Sequence, residues 1–159
     1  MFNPFQKTGN CKIDDERFKE LVEAYLVPED DLITLLANSS SLLAWYLDEL
    51  PWVGFYLVKG DKLILGPFQG LPACTQIKFG EGVCGVSAKE RKLLNVADVS
   101  TFSTYIACEG SVRSELVVPL IKDNELLGVL DADSNLLSRF TSREEALFSF
   151  VCETISSCL

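Results

Sequence analysis

A β-hairpin in the last third of the sequence constrains the fold more than any other feature. Residues 115–122 and 126–133 are two apolar runs rich in strand-forming residues, and Asp123-Asn124 between them is a good two-residue hairpin turn. Such a hairpin has to bury an apolar face against other elements. The rest of the chain therefore has to supply neighbouring strands and covering helices.

Helical patterns lie on both sides of the strands. The predicted helices are 14–26, about 30–50, a short one at 83–90, and 141–158, which starts with a capping box of Thr141 and Glu144. The other predicted strands are 52–58, 63–68, 73–79 and 93–96. This order predicts an α+β fold with a central antiparallel sheet of about six strands. The N- and C-terminal helices would pack on one face, and the other face would carry loops and a ligand pocket.

The length of 159 residues is typical of one domain. We expect residues 1–159 to form it, with N-terminal helices in 14–50, the sheet and active-site loops in 52–134, and the C-terminal helix in 141–158.

Composition excludes several classes of function. The net charge is −9 and no basic cluster stands out, so nucleic-acid binding is not expected. No apolar run approaches the roughly 18 to 20 residues of a membrane span. The first residues lack a signal-peptide pattern, which predicts a cytoplasmic protein whose thiols stay reduced.

The chain contains no histidine. This absence excludes a Cys-His dyad, a Ser-His-Asp triad and any zinc site that uses histidine. The six cysteines contain no pair at C-x₂₋₄-C spacing, which structural zinc sites usually have. We therefore expect no metal ion and no other cofactor.

The six cysteines divide into two groups. The first group is interpreted as structural: such cysteines are usually either buried as small hydrophobic residues or exposed as surface thiols near a terminus. Its members are Cys11, Cys152 and Cys158. The second group lies at strand ends or in glycine-flanked loops, where binding and catalytic residues tend to collect. Its members are Cys74, Cys84 and Cys108. For these three, both structural burial and redox chemistry remain open. Cys84 lies in the first turn of the predicted helix 83–90. Because the positive end of the helix dipole stabilises a thiolate, this position predicts a lowered pKa of the Cys84 thiol.

Three carboxyl groups are predicted to crowd one end of the hairpin. Asp131 and Asp133 are two residues apart on one strand, so their side chains share a face. The turn brings Glu115 opposite residues 131–133, to within about one residue of register. Like charges at short distance raise at least one pKa. The cluster is consistent with a solvated strand end, a divalent metal site, or a pocket for a ligand with an ammonium group.

Several blocks carry a resemblance to one family. They are WVGFY (52–56), LGPFQG (65–70), GEGVCG (80–85), IAC (106–108), SELVVPL (114–120) and GVLDADS (128–134). Through them the chain resembles the free methionine-(R)-sulfoxide reductases, a small family built on a single GAF domain. The resemblance covers nearly the whole chain. One departure is Thr104-Tyr105, where the family usually has Gly-His.

The resemblance implies roles for the candidate residues. Cys108 would be the nucleophile that attacks the sulfoxide sulfur, Cys84 the resolving cysteine, and Cys74 a second resolving cysteine or a substrate contact. The substrate would be held by Glu115, Asp131 and Asp133 and by the aromatic residues Trp52 and Tyr56.

The implied reaction is the reduction of free L-methionine-R-sulfoxide to L-methionine. Asp133 or Glu115 would supply a proton, and the sulfenic acid left on Cys108 would condense with a second thiol to a disulfide. Thioredoxin would restore the thiols. Because GAF domains often pair through terminal helices, the resemblance also suggests a homodimer. The alternatives are a non-catalytic GAF sensor of a small ligand and a thiol redox sensor.

Overall fold

The structure is a computed structural model that describes residues 2–104 and 110–159. The helices are α1 (Cys11–Tyr25), α2 (Leu32–Tyr46), α3 (Gly82–Glu90) and α4 (Ser142–Cys158), with a 3₁₀ turn at Val99–Thr101. The strands are β1 (Trp52–Lys59), β2 (Lys62–Gln69), β3 (Gln76–Lys78), β4 (Leu94–Val96), β5 (Ser114–Lys122) and β6 (Glu125–Ser134). None of the helices in the described residues is long and apolar enough to cross a membrane.

The six strands form one antiparallel sheet in the order β3-β2-β1-β6-β5-β4. The predicted hairpin is β5 and β6, and its turn residues Asp123 and Asn124 have φ angles of 48° and 64°. Both residue types tolerate this left-handed conformation, which a tight hairpin turn requires. The α+β fold with a six-stranded antiparallel sheet is therefore confirmed.

Some element boundaries differ from the prediction for local reasons. The α1 helix begins at Cys11 rather than residue 14, because the Asn10 side chain caps it by accepting from the Lys12 N–H. The β3 strand is three residues long rather than the predicted 73–79. Its partner β2 contains Pro67, which has no N–H to donate, so pairing does not extend along that part of the strand.

The terminal helices cover one face of the sheet. Strand residues on this face alternate with those of the other face, as a two-residue period requires, and include Val53, Phe55, Leu116, Leu130 and Ala132. They pack against apolar side chains of α1, α2 and α4, among them Phe18, Leu43, Leu147 and Phe148, all at most 2% exposed.

The opposite face carries a second, smaller apolar cluster under α3. It contains Trp52, Tyr56, Val117 and Val129 from the sheet and Val83 and Cys84 from α3. Gly85 permits the close approach of α3, because a Cβ there would lie 2.2 Å from the Lys78 carbonyl oxygen. The pocket lies on this second face, so the predicted arrangement of helices on one face and a pocket on the other is confirmed.

An ion pair fastens α1 to α4 across the helical layer. Arg143 donates through its Nε and Nη2 to the Asp15 carboxylate at 2.8 and 2.6 Å, and the Tyr46 hydroxyl of α2 donates to Asp15 at 2.6 Å. Burial alone would raise the pKa of Asp15, but the hydrogen bonds from Arg143 and Tyr46 outweigh it and hold the pKa below its usual value.

Asp15→Asn is expected to lower the free energy of unfolding at pH 7 by about 1 to 2 kcal/mol, since a charged hydrogen-bond network is lost. Because the folded-state pKa is depressed, the contribution is present above the usual Asp value near 4 and disappears as pH falls through the folded-state value. Urea unfolding at pH 3 and pH 7 measures both. The control Glu16→Gln removes an exposed pair with Lys19 and should change stability by under about 0.5 kcal/mol. An equal loss in both variants would contradict the assigned role.

Candidate active site

Two rows of side chains cross the central strands on the pocket face. In the first row, Asp133 of β6 lies directly opposite Glu115 of β5 on one side and Trp52 of β1 on the other. In the second row, Asp131 lies between Val117 and Gly54. The three carboxyl groups do share one end of the hairpin, as predicted. The exact pairing of Glu115 with Asp133 results from a register shift between Leu120 and Ile121 that was not predicted.

These carboxyl groups are largely withdrawn from solvent. Glu115 is 7% exposed and Asp131 is 5% exposed, whereas Asp133 is partly buried. The Oδ1 atom of Asp131 has no hydrogen-bond partner among the described residues. Buried polar atoms in native proteins nearly always have a partner, so an unpartnered carboxylate oxygen beside a cavity indicates a ligand contact.

The helix α3 brings Cys84 against the acids. Its first turn is held by Gly82, whose N–H donates to the Thr104 carbonyl at 2.8 Å. The Cys84 thiol is free, buried, and donates a long hydrogen bond to Glu115 Oε1 at 3.8 Å. The Cys84 sulfur and one carboxylate oxygen each of Glu115 and Asp131 lie within 4.8 Å of one another.

Burial and mutual repulsion raise the pKa values of the acids. Burial raises the pKa of Glu115 well above its usual range, and Asp131 and Asp133 add to the effect. Burial raises the pKa of Asp131 to about 7, against the opposing effect of the Cys84 thiol and the Ala132 N–H. At neutral pH this pair therefore retains a proton that exposed carboxyl groups would lose.

The expectation of a lowered Cys84 pKa is wrong. Cys84 does lie in the first turn of α3, as predicted. However, burial raises the pKa of its thiol well above the usual value, and the nearby Asp131 and Glu115 raise it further. Desolvation and two acidic neighbours outweigh a helix dipole, which is worth at most about 2 kcal/mol. The Cys84 thiol is therefore protonated at neutral pH.

Aromatic rings form one wall of the site. Trp52 stacks between Phe68 and Tyr56, with ring centroids 5.4 and 5.9 Å away. The Trp52 indole N–H donates to the Leu71 carbonyl at 3.1 Å, so the ring is held at both its face and its edge. Such a fixed aromatic surface suits a methyl or thioether group.

Cys74 lies next to this wall in the loop after β2. The Tyr56 hydroxyl donates to the Cys74 carbonyl at 3.0 Å and so ties the loop to the sheet. Cys74 is half-buried and disulfide-bonded, unlike Cys84. The two cysteines that the sequence offered as resolving residues are therefore in different chemical states.

A cavity of about 160 Å³ lies between the acids and the aromatic wall. It is lined by Trp52, Tyr56, Cys84, Glu115, Asp131 and Asp133, so six of the eight predicted site residues meet in one place. A cavity of about 150 Å³ in a protein interior holds a molecule of the size of benzene. This site therefore has room for one small molecule, with acidic groups at one side and aromatic rings at the other.

Comparisons with known proteins agree with this geometry. The GAF domain family profile matches residues 31–159. The free methionine-R-sulfoxide reductase of Escherichia coli (strain K12) is 43% identical over 122 residues, which cover 77% of this chain and 74% of that protein. This chain belongs to the free methionine-(R)-sulfoxide reductase family of GAF domains.

Solved structures of the family superpose over nearly the full chain. The reduced form of fRMsr from Staphylococcus aureus is 39% identical, covers 99% of both chains and has a TM-score of 0.84. The free methionine-R-sulfoxide reductase from Neisseria meningitidis, solved in complex with its substrate, is 34% identical with a TM-score of 0.82. Their overlap covers 99% of this chain and 93% of that one.

Two predicted features of this family member lie outside the described residues. They are Cys108, the predicted nucleophile, and Tyr105, one of the two residues that replace the usual Gly-His. Thr104, the other replacement, is described, and its carbonyl accepts the Gly82 N–H at the start of α3.

Sequence reasoning missed several cavity residues of this family member. They are Leu71, Pro72, Ser111, Val112 and Asn135, which belong to loops around the cavity mouth. Ser111 donates to Asn135 Oδ1 at 3.0 Å and so bridges two of these loops. These loop residues carry no motif or spacing in the sequence that indicates a pocket.

Proposed function

We propose that this protein reduces free L-methionine-R-sulfoxide to L-methionine with cysteine thiols. The single observation that supports it most is the pairing of buried acids with an aromatic wall around one small cavity, with the Asp131 Oδ1 unpartnered among the described residues. An amino acid has an ammonium group for the acids and, in methionine sulfoxide, a methyl-sulfur end for the aromatic rings. The substrate named for the relatives fits this chemistry.

The acids account for a preference for the free amino acid. The substrate ammonium would pair with Asp131 and Asp133, and the methyl group would lie against Trp52 and Tyr56. A methionine sulfoxide within a peptide has an amide nitrogen instead, which leaves the carboxylates unpaired in a buried site. Leaving a buried charge without its partner is costly, and such mismatches are strongly rejected.

The redox step begins with Cys108 as the nucleophile. Its thiolate attacks the sulfoxide sulfur, the oxygen passes to the cysteine as a sulfenic acid, and methionine leaves with the sulfur reduced. The oxygen has to be protonated as the S–O bond breaks. Of the two proton donors that the sequence offered, Asp133 and Glu115, we favour Glu115, because burial raises its pKa well above the usual range and so favours its protonated form.

A second thiol then resolves the sulfenic acid. The sequence favoured Cys84, with Cys74 second. We now propose Cys74, because it is disulfide-bonded whereas the Cys84 thiol is free, buried and protonated. Attack by Cys74 on the sulfenic acid forms the disulfide and releases water. Cys84 would instead contact the substrate and support Glu115.

The oxidised protein then needs an external reductant. We propose thioredoxin, which would reduce the disulfide by thiol–disulfide exchange. Cys74 is half-buried in a loop at the cavity mouth, so a partner thiol could reach it. Such a cycle requires a reducing compartment, and we therefore propose that the protein acts in the cytoplasm.

The proposed function is tested by supplying the R and S epimers of free L-methionine sulfoxide separately, with thioredoxin, its reductase and NADPH. We expect methionine formation and NADPH loss with the R epimer only. The control is the Cys108→Ser protein, which should form no methionine. Absence of turnover with both epimers, in protein verified to be reduced, would overturn the proposal and favour a ligand or redox sensor.

A further inference from the structure

Cys84, Glu115 and Asp131 form a compact set of potential metal ligands, here called the CED cluster. Their three ligand atoms lie within 4.8 Å of one another, and the residues are 2%, 7% and 5% exposed. We propose that the CED cluster binds a zinc ion, and that zinc bound there blocks the amino-acid pocket. The sequence predicted no metal ion, because the chain has no histidine and no cysteine pair at C-x₂₋₄-C spacing, although a divalent metal site remained one interpretation of the acids. The ligands of the CED cluster come from three separate elements, α3, β5 and β6.

The geometry of the cluster is close to that of a zinc site. With Zn–S near 2.3 Å and Zn–O near 2.0 Å, a tetrahedral ion separates its sulfur and oxygen ligands by about 3.5 Å. Cys84 Sγ and Glu115 Oε1 are 3.8 Å apart. All three ligand atoms lie within 4.8 Å of one another, so closing any pair to the spacing of a zinc site requires at most about 1 Å, which rotation of a carboxylate side chain can supply.

The ligand types select zinc over the commoner divalent cations. Calcium takes six to eight oxygen ligands, and magnesium retains most of its water, so neither suits two carboxylates and a thiol. Zinc accepts thiolate and carboxylate together, and three protein ligands with one open position is its usual arrangement in sites that exchange ligands. Coordination would replace the proton of the Cys84 thiol with the metal ion.

A second, independent observation points to a ligand at this position. Asp131 is 95% withdrawn from solvent, and its Oδ1 has no hydrogen-bond partner among the described residues although the residue lines the cavity. A cation at the cluster would satisfy this oxygen. The cavity beside it supplies space for a water molecule as the fourth ligand.

Zinc and an amino-acid ammonium would compete for the Asp131 carboxylate. An ion on Glu115 and Asp131 removes one of the two acceptors proposed for the substrate ammonium and also the proton that Glu115 would donate. Zinc should therefore act as a competitive inhibitor of sulfoxide reduction. The inhibition rests on the proposed function, whereas zinc binding by the cluster does not.

The test uses the full chain with the Cys74 disulfide intact, as in the structure, and with Cys11→Ser and Cys158→Ser to remove thiols outside the pocket. Zinc chloride is titrated by calorimetry, and cadmium chloride is titrated in parallel because a Cd–thiolate bond has an ultraviolet charge-transfer absorption. We expect one zinc ion per chain, a cadmium–thiolate absorption, and displacement of zinc by L-methionine. Cys84→Ser should remove the absorption, and Cys84→Ser, Glu115→Gln and Asp131→Asn should each weaken zinc binding at least about tenfold.

Two controls keep the result interpretable. Cys152→Ser removes another buried thiol, on α4 at the opposite face, and should leave zinc binding unchanged. Circular dichroism of each variant establishes that it is folded. Absence of zinc binding, or binding of equal strength in Cys84→Ser, would overturn the proposal. If the protein binds zinc but has no reductase activity, the proposed metal site is supported and the proposed function is refuted.

Discussion

Glu115→Gln is expected to lower turnover of L-methionine-R-sulfoxide by about 10² to 10⁴-fold, the range that loss of a general acid produces. The glutamine oxygen still accepts the Cys84 thiol, so the shape of the site is kept while the acidic proton is lost. Steady-state kinetics with free substrate measures the effect. The matched control is Glu153→Gln, an exposed acid on α4, which should leave turnover unchanged. Turnover within a few-fold of the parent protein would rule out Glu115 as the proton donor.

The same substitution is expected to stabilise the protein at pH 8 by about 2 kcal/mol, because it removes a buried acid from a cluster of like charges. The raised pKa values of Glu115 and Asp131 mean that the folded state holds protons that the unfolded chain releases. Stability of the parent protein should therefore fall as pH rises from about 4 through about 7, where Asp131 titrates. Urea unfolding at pH 6 and pH 8 measures this slope. We expect a smaller slope in Glu115→Gln, and a less stable variant at pH 8 would contradict the assigned electrostatics.

Cys74→Ser is expected to stop catalysis after one round. Attack by Cys108 does not need Cys74, so the variant should form one equivalent of methionine per chain and retain a sulfenic acid on Cys108. Without the disulfide, thioredoxin has no substrate, and we expect continued turnover to fall at least about 100-fold. Rapid-quench methionine analysis and a dimedone-type trap for sulfenic acid measure the two parts.

Two other cysteine variants make this result specific. Cys11→Ser changes an exposed thiol far from the cavity and should cycle normally. Cys84→Ser should still form the disulfide, because we assign Cys84 to the substrate pocket. If Cys84→Ser accumulates sulfenic acid while Cys74→Ser continues to cycle, Cys84 is the resolving cysteine, as the sequence had favoured.

The hairpin at the centre of the fold could be predicted from the sequence because its information is local. The Asp123-Asn124 turn pairs Lys122 with Glu125, and that register alone would place Glu115 opposite Ala132. A register shift of one residue between Leu120 and Ile121 places Glu115 opposite Asp133 instead. The two-residue spacing of Asp131 and Asp133 fixes their shared face. The shared face of the two aspartates therefore followed from the sequence, whereas the position of Glu115 beside them also depends on the register shift, which no local pattern indicated.

The chemical state of Cys84 could not be predicted, because it depends on tertiary packing. Its position in the helix indicated a reactive thiol, and that inference was sound for an isolated helix end. Burial of α3 against β5 and β6 reversed it by removing water and adding two acids. No spacing within residues 80–90 contains that information.

The position of Cys74 beside the aromatic wall could not be predicted from the sequence either. Its loop is tied to the sheet by the Tyr56 hydroxyl, a contact between residues 18 positions apart in the chain. The short β3 strand leaves residues 73 and 74 outside the sheet, beyond the last backbone hydrogen bond, which runs from the Leu65 N–H to the Thr75 carbonyl at 3.1 Å. Pro67 in β2 has no N–H to continue the pairing. The sequence predicted a longer strand there because strand patterns reflect the types of side chain. They do not show that a neighbouring strand lacks a backbone hydrogen-bond donor.

The central claim is that buried acids make this pocket select the free amino acid. The most direct test compares kcat/KM for free L-methionine-R-sulfoxide with that for its N-acetyl derivative, in which a neutral amide carrying an acetyl group replaces the ammonium group. We predict that the free substrate is preferred by at least about 10³-fold, as expected where a substrate leaves buried polar groups unpaired. Equal kcat/KM values for the two compounds would contradict the account, because the acids would then have no part in recognising the substrate.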